Sequence, residues 1–226
     1  MNSATQRSSI AGPAGAIECA IDKPADGSAR GLAVLCHPHP LHGGTMDNKV
    51  VQTLARAFVQ LGYTAVRFNF RGIGSSQGVW DEGRGEVDDA LAVVAAHRAA
   101  EQAAQPAAEP AAQQATAQPL VLAGFSFGGA MASQAASRLA AAGAAAERIV
   151  LVGPAVKSFD VAHVPADTLV IHGEKDDVVL LSDVFDWARP QALPVTVLPG
   201  AGHFFHGQLA VLKQIVVAAW ASRSGA

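Results

Sequence analysis

Six short apolar runs punctuate the chain: LAVLC (32–36), TAVRFNF (64–70), LVLAG (120–124), RIVLVG (148–153), TLVIHG (168–173) and PVTVLPG (194–200). Each is strand-length and bounded by turn residues. Between them lie stretches with apolar residues at helical spacing. Val50, Leu54, Phe58 and Leu61 mark one over 47–61, and Val87, Leu91, Val94 and Arg98 mark another. An Ala-rich stretch follows Gly124, and Leu209, Leu212, Val216 and Ala219 share one face near the end. Strands alternating with helices predict a mostly parallel central sheet, with right-handed crossovers and helices on both faces. The continuous apolar character of the central runs fits strands buried on both sides. The expected fold class is therefore α/β, as a single domain over 1–226. Thr45 or Asp47 is placed to cap the helix at 47–61, and Gly62 to end it. Residues 1–14 are expected to be flexible. The segment 99–118 is almost wholly Ala, Gln, Glu and Pro, and prolines at 106, 110 and 119 forbid one long helix there. A frayed helix end running into a surface connection is expected.

Composition narrows the function. Half of the 226 residues are hydrophobic, enough for a sizeable core. The net charge is −3 with no run of like charges, which argues against nucleic-acid binding and against electrostatic membrane docking. Cys19 and Cys36 have no C-x-x-C spacing, so neither a disulfide framework nor a thiolate zinc site is indicated. No apolar run reaches the roughly 18 residues of a membrane span, and the first twenty residues lack a continuous apolar core of a secretion signal. A reducing, cytoplasmic setting is expected. No feature of the sequence sets an oligomeric state.

The chemistry starts at Gly124-Phe125-Ser126-Phe127-Gly128, a G-x-S-x-G pattern between an apolar strand and a small-residue helix. So sharp a turn strains its central residue, and the flanking glycines let strand and helix approach without a Cβ clash. The turn lifts the Ser126 hydroxyl and sets the Phe127 N–H at a helix N-terminus, where an oxyanion can be held. Alone, the pattern is equally an ordinary Gly-rich turn. A serine nucleophile needs a base, and the base an orienting acid, and in this topology the chain order is Ser, Asp, His. Asp176 or Asp177 supplies the acid just past TLVIHG, and His203 the base just past PVTVLPG. The plainer roles are a helix cap for Asp176 and a turn position for His203. The agreement of three independent positions favours a serine triad.

Five segments carry a resemblance to a known family: CHPHPLHGGTMDNKVV, FNFRGIGSSQG, GFSFGG, HGEKDDVV and GAGHFFHG. On these the chain resembles the α/β-hydrolase superfamily, and more narrowly the small, lidless bacterial hydrolases related to the dienelactone hydrolase group. The resemblance implies Ser126 as nucleophile, His203 as base and Asp176 as acid. Asp176 is preferred over Asp177 because His172, Gly173, Asp176 and Val179 match the superfamily's H-G-x-x-D-x-x-V pattern. No cofactor is implied.

A tetrahedral oxyanion takes two N–H donors. Phe127 offers one, and the second is expected from CHPHPLHGG, the loop after Cys36. Pro38 and Pro40 have no N–H. His39 lies two residues past the strand-end His37, where the superfamily places its second donor. His37 and His39 each precede a proline and are biased to extended conformations, which stiffens the loop. The rival reading makes His37, His39 and His42 a metal site; no metal is expected. A middle reading has His37 or His42 bonding to neighbouring backbone and shaping the substrate pocket, for which Phe125 and Phe204 are candidates as well. Arg71 either buttresses the site or binds a substrate carboxylate. Only residues 154–167 separate two of the strands, where many lipases insert a cap, so an open site for small esters is expected, with no cap domain. Thioesterase or amidase/peptidase action on the same triad, and a non-catalytic binding protein on the same fold, are the alternatives.

Overall fold

Among the residues described by the computed structural model, 5–104 and 118–221, eight strands form one sheet. In chain order these are β1 (Gln6–Gly12), β2 (Gly15–Asp22), β3 (Gly31–Cys36), β4 (Tyr63–Phe68), β5 (Leu120–Phe125), β6 (Arg148–Val152), β7 (Leu169–Gly173) and β8 (Val195–Leu198). Their order across the sheet is β1-β2-β4-β3-β5-β6-β7-β8. The six predicted strands run parallel, and β1 and β2 are joined antiparallel to the β4 edge.

Over 6–14 the β1–β2 hairpin corrects the expectation that 1–14 is flexible, while 1–4 lie outside the described residues. Gln6 pairs with Ile21 and Gly12 with Gly15 around a two-residue Pro13–Ala14 turn. As an edge strand with mostly exposed or half-buried side chains, β1 presents no apolar run, and its existence depends on pairing rather than burial.

The helices are α1 (Lys49–Gln60), α2 (Arg84–Ala104), α3 (Phe127–Ala141), α4 (Leu181–Ala188) and α5 (Leu209–Ala221). Strand residues alternate between two cores. Leu32, Val34 and Cys36 face the side covered by α2, α3 and α4, with Val87, Ala132 and Val184 in the packing. Ala33 and Leu35 face α1 and α5, where Val51, Leu54, Phe58, Leu212, Val216 and Trp220 close the layer. Every residue of β3, β4 and β5 is buried, as the unbroken apolar runs of β3 and β5 imply, and β4 buries Thr64 and Arg67 with its apolar residues. The cap of α1 differs from expectation. Asn48 takes it, its Oδ1 accepting from Val50 and Val51 N–H, because the turn before it brings Asn48, not Thr45 or Asp47, to the helix entrance. Residues 99–104 continue α2, and 105–117 of the 99–118 segment lie outside the described residues. Among the described residues no helix is long and apolar enough to cross a membrane.

Register decides where the chemistry falls. Cys36 pairs with Gly124 and Phe125 with Val152, so β3, β5 and β6 end together. Gly173 pairs with Leu198, bringing the loops after β7 and β8 to the same edge. Buried Arg67 on β4 ties in the loop before α1. Its guanidinium donates to Asp22 Oδ2 at 3.2 Å, Asp47 Oδ1 at 2.9 Å and the Met46 carbonyl at 2.9 Å.

Candidate active site

Ser126 stands at φ 57° and ψ −119°, a left-handed backbone that a side chain adopts only under constraint. The constraint comes from both sides. Its N–H donates to the Val152 carbonyl at 2.9 Å, and its carbonyl accepts from Gly129 N–H at 2.9 Å. The glycines are required by space: a Cβ on Gly124 would stand 2.0 Å from the Gly128 carbonyl oxygen, and one on Gly128 would stand 2.2 Å from that of Cys36.

Three side chains from three loops join in line. The Ser126 hydroxyl donates to His203 Nε2 at 3.1 Å, and His203 Nδ1–H donates to Asp176 Oδ2 at 2.7 Å. All three are buried, Ser126 being 7 % exposed. Phe125 packs beneath the His203 ring at 4.8 Å and Phe204 stands edge-on to it at 5.1 Å, so these two pocket candidates brace the imidazole. Phe204 remains largely exposed and Phe125 belongs to the core.

Asp176 does two jobs. Oδ2 receives His203, while Oδ1 accepts from Val178 N–H at 3.0 Å and Val179 N–H at 2.8 Å, forming the turn that leads to α4. Asp176 is therefore not the helix cap, since the N-cap of α4 is Leu180 and carries no side-chain cap bond; it closes the turn before the helix and stands where the expected acid would, whereas Asp177 is exposed. Burial opposes the Asp176 carboxylate, but the bonds from His203 and Val179 outweigh it and hold its pKa below the ordinary value. His172 was marked in the sequence only as part of a motif. Its fully buried ring sets Nε2 2.9 Å from the Val179 carbonyl and 3.5 Å from Asp176 Oδ2, fastening the acid loop from the strand side. Its pKa is lowered, chiefly by burial.

The CHPHPLHGG loop divides its histidines. His37 is wholly buried, and both ring nitrogens are engaged: Nδ1 with the Pro38 carbonyl at 2.6 Å, Nε2 with the Phe70 N–H at 3.0 Å. As Phe70 donates, Nε2 is unprotonated and the proton sits on Nδ1. His37 thus bonds backbone as expected, clasping the ends of β3 and β4, but it does not line a pocket, which corrects that part of the expectation, and it has no nitrogen left for a metal. His39 begins a 3-10 turn (Pro40–His42), with Nδ1 accepting from Leu41 N–H at 3.2 Å. His42 is exposed and stacks on the His39 ring at 4.3 Å. Among the described residues no three His, Cys, Asp or Glu side chains are grouped to hold a metal ion. Arg71 is likewise corrected as a pocket candidate. It forks onto Asp89 at 2.8 and 3.0 Å and bonds the Gly85 carbonyl, locking the loop after β4 to α2. Burial pushes the Cys36 thiol pKa far up, which leaves it inert.

Burial lowers the His37 pKa to about 4, against an opposing bond to the Pro38 carbonyl. The unfolded chain then binds more protons than the folded one between about 6.5 and 4. Stability should therefore fall as pH drops through that window, by up to about 1.4 kcal/mol per unit from this residue alone. Urea unfolding at pH 7, 5.5 and 4.5 should show this loss, and a smaller one in His37→Gln. Equal slopes in the two proteins would remove His37 as its source.

Residues 29–162 match the family model described as serine aminopeptidase S33, a hydrolase family. The chain belongs to the α/β serine hydrolases. A solved α/β serine hydrolase homologue from Coxiella burnetii is 36% identical to this hydrolase, with a TM-score of 0.79, covering 94% of this chain and 96% of that one. An α/β serine hydrolase without a lid from Xanthomonas campestris is 34% identical, with a TM-score of 0.81, over 97% and 94% of the two chains. An uncharacterised protein of Rickettsia prowazekii is 32% identical over 207 residues, 86% of this hydrolase and 79% of that protein.

Proposed function

We propose that this hydrolase cleaves small carboxylic esters through an acyl-enzyme intermediate. The observation that carries the proposal is the unbroken line from Ser126 Oγ through His203 to Asp176. His203 Nε2 takes the hydroxyl proton as Ser126 Oγ attacks the ester carbonyl carbon. Asp176 holds the imidazole tautomer and stabilises the imidazolium that forms. His203 then passes the proton to the departing alkoxide, which leaves as the alcohol. Water, deprotonated by the same imidazole, attacks the acyl-enzyme, releasing the acid and restoring Ser126. The Phe127 N–H, on the first residue of α3, has no carbonyl one turn back to bond. It is one oxyanion donor and the His39 N–H the second, each worth about 3 kcal/mol in the transition state.

Small substrates suit the open edge. Residues 154–167 contain only turns and irregular chain, with no cap over Ser126, and the similar Xanthomonas protein is described as lidless. A cytoplasmic setting is supported by Cys19 and Cys36, both free thiols. Fluorophosphonate should label Ser126 in the folded protein and fail on Ser126→Ala. A series of p-nitrophenyl esters should show kcat/KM falling as straight acyl chains lengthen past a few carbons. Absence of labelling would end the hydrolase reading, and a rise with chain length would end the small-ester one. The family description favours a second reading, cleavage of N-terminal amino acids. Turnover of aminoacyl p-nitroanilides faster than of matched esters would establish it in place of the first.

A further inference from the structure

Along α3, beginning more than a turn past Ser126, lies a cleft of about 470 Å³. Met131, Gln134 and Arg138 lie on its floor, spaced three and four residues apart and so on one helix face. At 1.5 Å per residue, Met131 is about 7 Å from Ser126 along the helix axis. The walls are Trp80, from the loop after β4, and Phe159, from the loop after β6, with centroids 6.3 Å apart and planes at 85°. Both rings are half-buried and leave surface free.

These walls begin at the residues beside the nucleophile. The His39 ring lies 4.8 Å from Trp80 and 5.4 Å from Phe159. The Phe127 ring lies 5.2 Å and 4.8 Å from the same pair. So the two residues proposed to offer the oxyanion donors also join the aromatic cluster that walls the cleft. The exposed parts of the Trp80 and Phe159 rings reward a flat aromatic guest through edge and face contacts that a saturated ring of equal size forgoes. Cations at the rim are already matched: Arg138 bonds Asp88 at 2.6 Å, and Arg84 bonds Asp81 and Glu82 at 2.9 and 3.0 Å. They leave no unpaired cation to select an acidic tail.

We propose that this cleft is the acyl subsite, and that the preferred substrates are small esters whose acid carries a flat aromatic ring a short way beyond the carbonyl. The proposal rests on the serine-hydrolase reading above and names its substrate class. Trp80 and Phe159 are the specificity-determining residues.

Ethyl 3-phenylpropanoate and ethyl 3-cyclohexylpropanoate share a leaving group and a chain length, and proton release follows both. The phenyl ester should have a kcat/KM about tenfold higher. Phe159→Ala and Trp80→Leu should each bring the ratio towards one. The ratio is taken within one protein, so partial loss of folded material cancels. A wild-type ratio near one, or a ratio unchanged in both variants, overturns the subsite. Fluorophosphonate labelling of the same samples separates the two readings: labelled protein without aromatic preference sinks the subsite alone. If folded protein is not labelled, Ser126→Ala decides the subsite by binding. There, 3-phenylpropanoate should quench tryptophan fluorescence, and Trp80→Phe on that background should abolish the quench. No quench, or one that survives Trp80→Phe, overturns it.

Discussion

Ser126→Ala should lower kcat for ester hydrolysis by about a million-fold, His203→Ala by a similar factor, and the double variant by no more than either. The reason is geometric. The hydroxyl and Nε2 share one proton across 3.1 Å, and neither has a task in the reaction without the other. Asp176→Asn should cost about ten-thousand-fold, because an amide favours the wrong imidazole tautomer, while Asp177→Asn should stay within a few-fold of the parent. Steady-state rates with p-nitrophenyl acetate decide the matter. Losses that multiply in the double variant would mean that serine and histidine act separately, and a larger loss at Asp177 would displace Asp176 as the acid.

Gly128→Ala should cost one hundred- to one thousand-fold in kcat, the scale of losing one oxyanion donor, with a lowered Tm. The added methyl would stand 2.2 Å from the Cys36 carbonyl oxygen and 2.5 Å from that of His37. Both neighbours are backbone, so no side chain can turn aside. The start of α3 must retreat from the loop after β3, and the Phe127 and His39 N–H groups move apart. Fluorophosphonate labelling should slow in step with kcat, because its phosphonyl oxygen needs the same donors. Unchanged kinetics in a folded Gly128→Ala protein would show that the two donors do not act together.

The sheet and its reactive edge were legible because they are written in local patterns. Buried parallel strands must be apolar along their whole length, and LAVLC, LVLAG and RIVLVG are. A nucleophile turn needs glycines where backbones touch, and Gly124 and Gly128 stand there. What escaped was set by partners distant in sequence. β1 is held by pairing with β2, and its polar residues face solvent. Arg71 reads as a buttress or as an anion hook until Asp89, eighteen residues on, is seen to fill its fork and decide for the buttress. His37 and His39 are chemically identical in the sequence, and only the fold sends one into a backbone clasp and the other into an aromatic cluster. Trp80 and Phe159 lie on loops with no periodicity, so nothing local marks them as neighbours.

The double duty of Asp176 has an operational consequence. Because one oxygen of the carboxylate closes the turn through Val178 and Val179 while the other steadies His203, the carboxylate cannot swing away from the imidazole without unfastening the loop. Under the proposed mechanism, readiness for catalysis and closure of this turn are the same event, so slow hydrogen exchange at the Val178 and Val179 amides is a substrate-free gauge of how much of a preparation is armed.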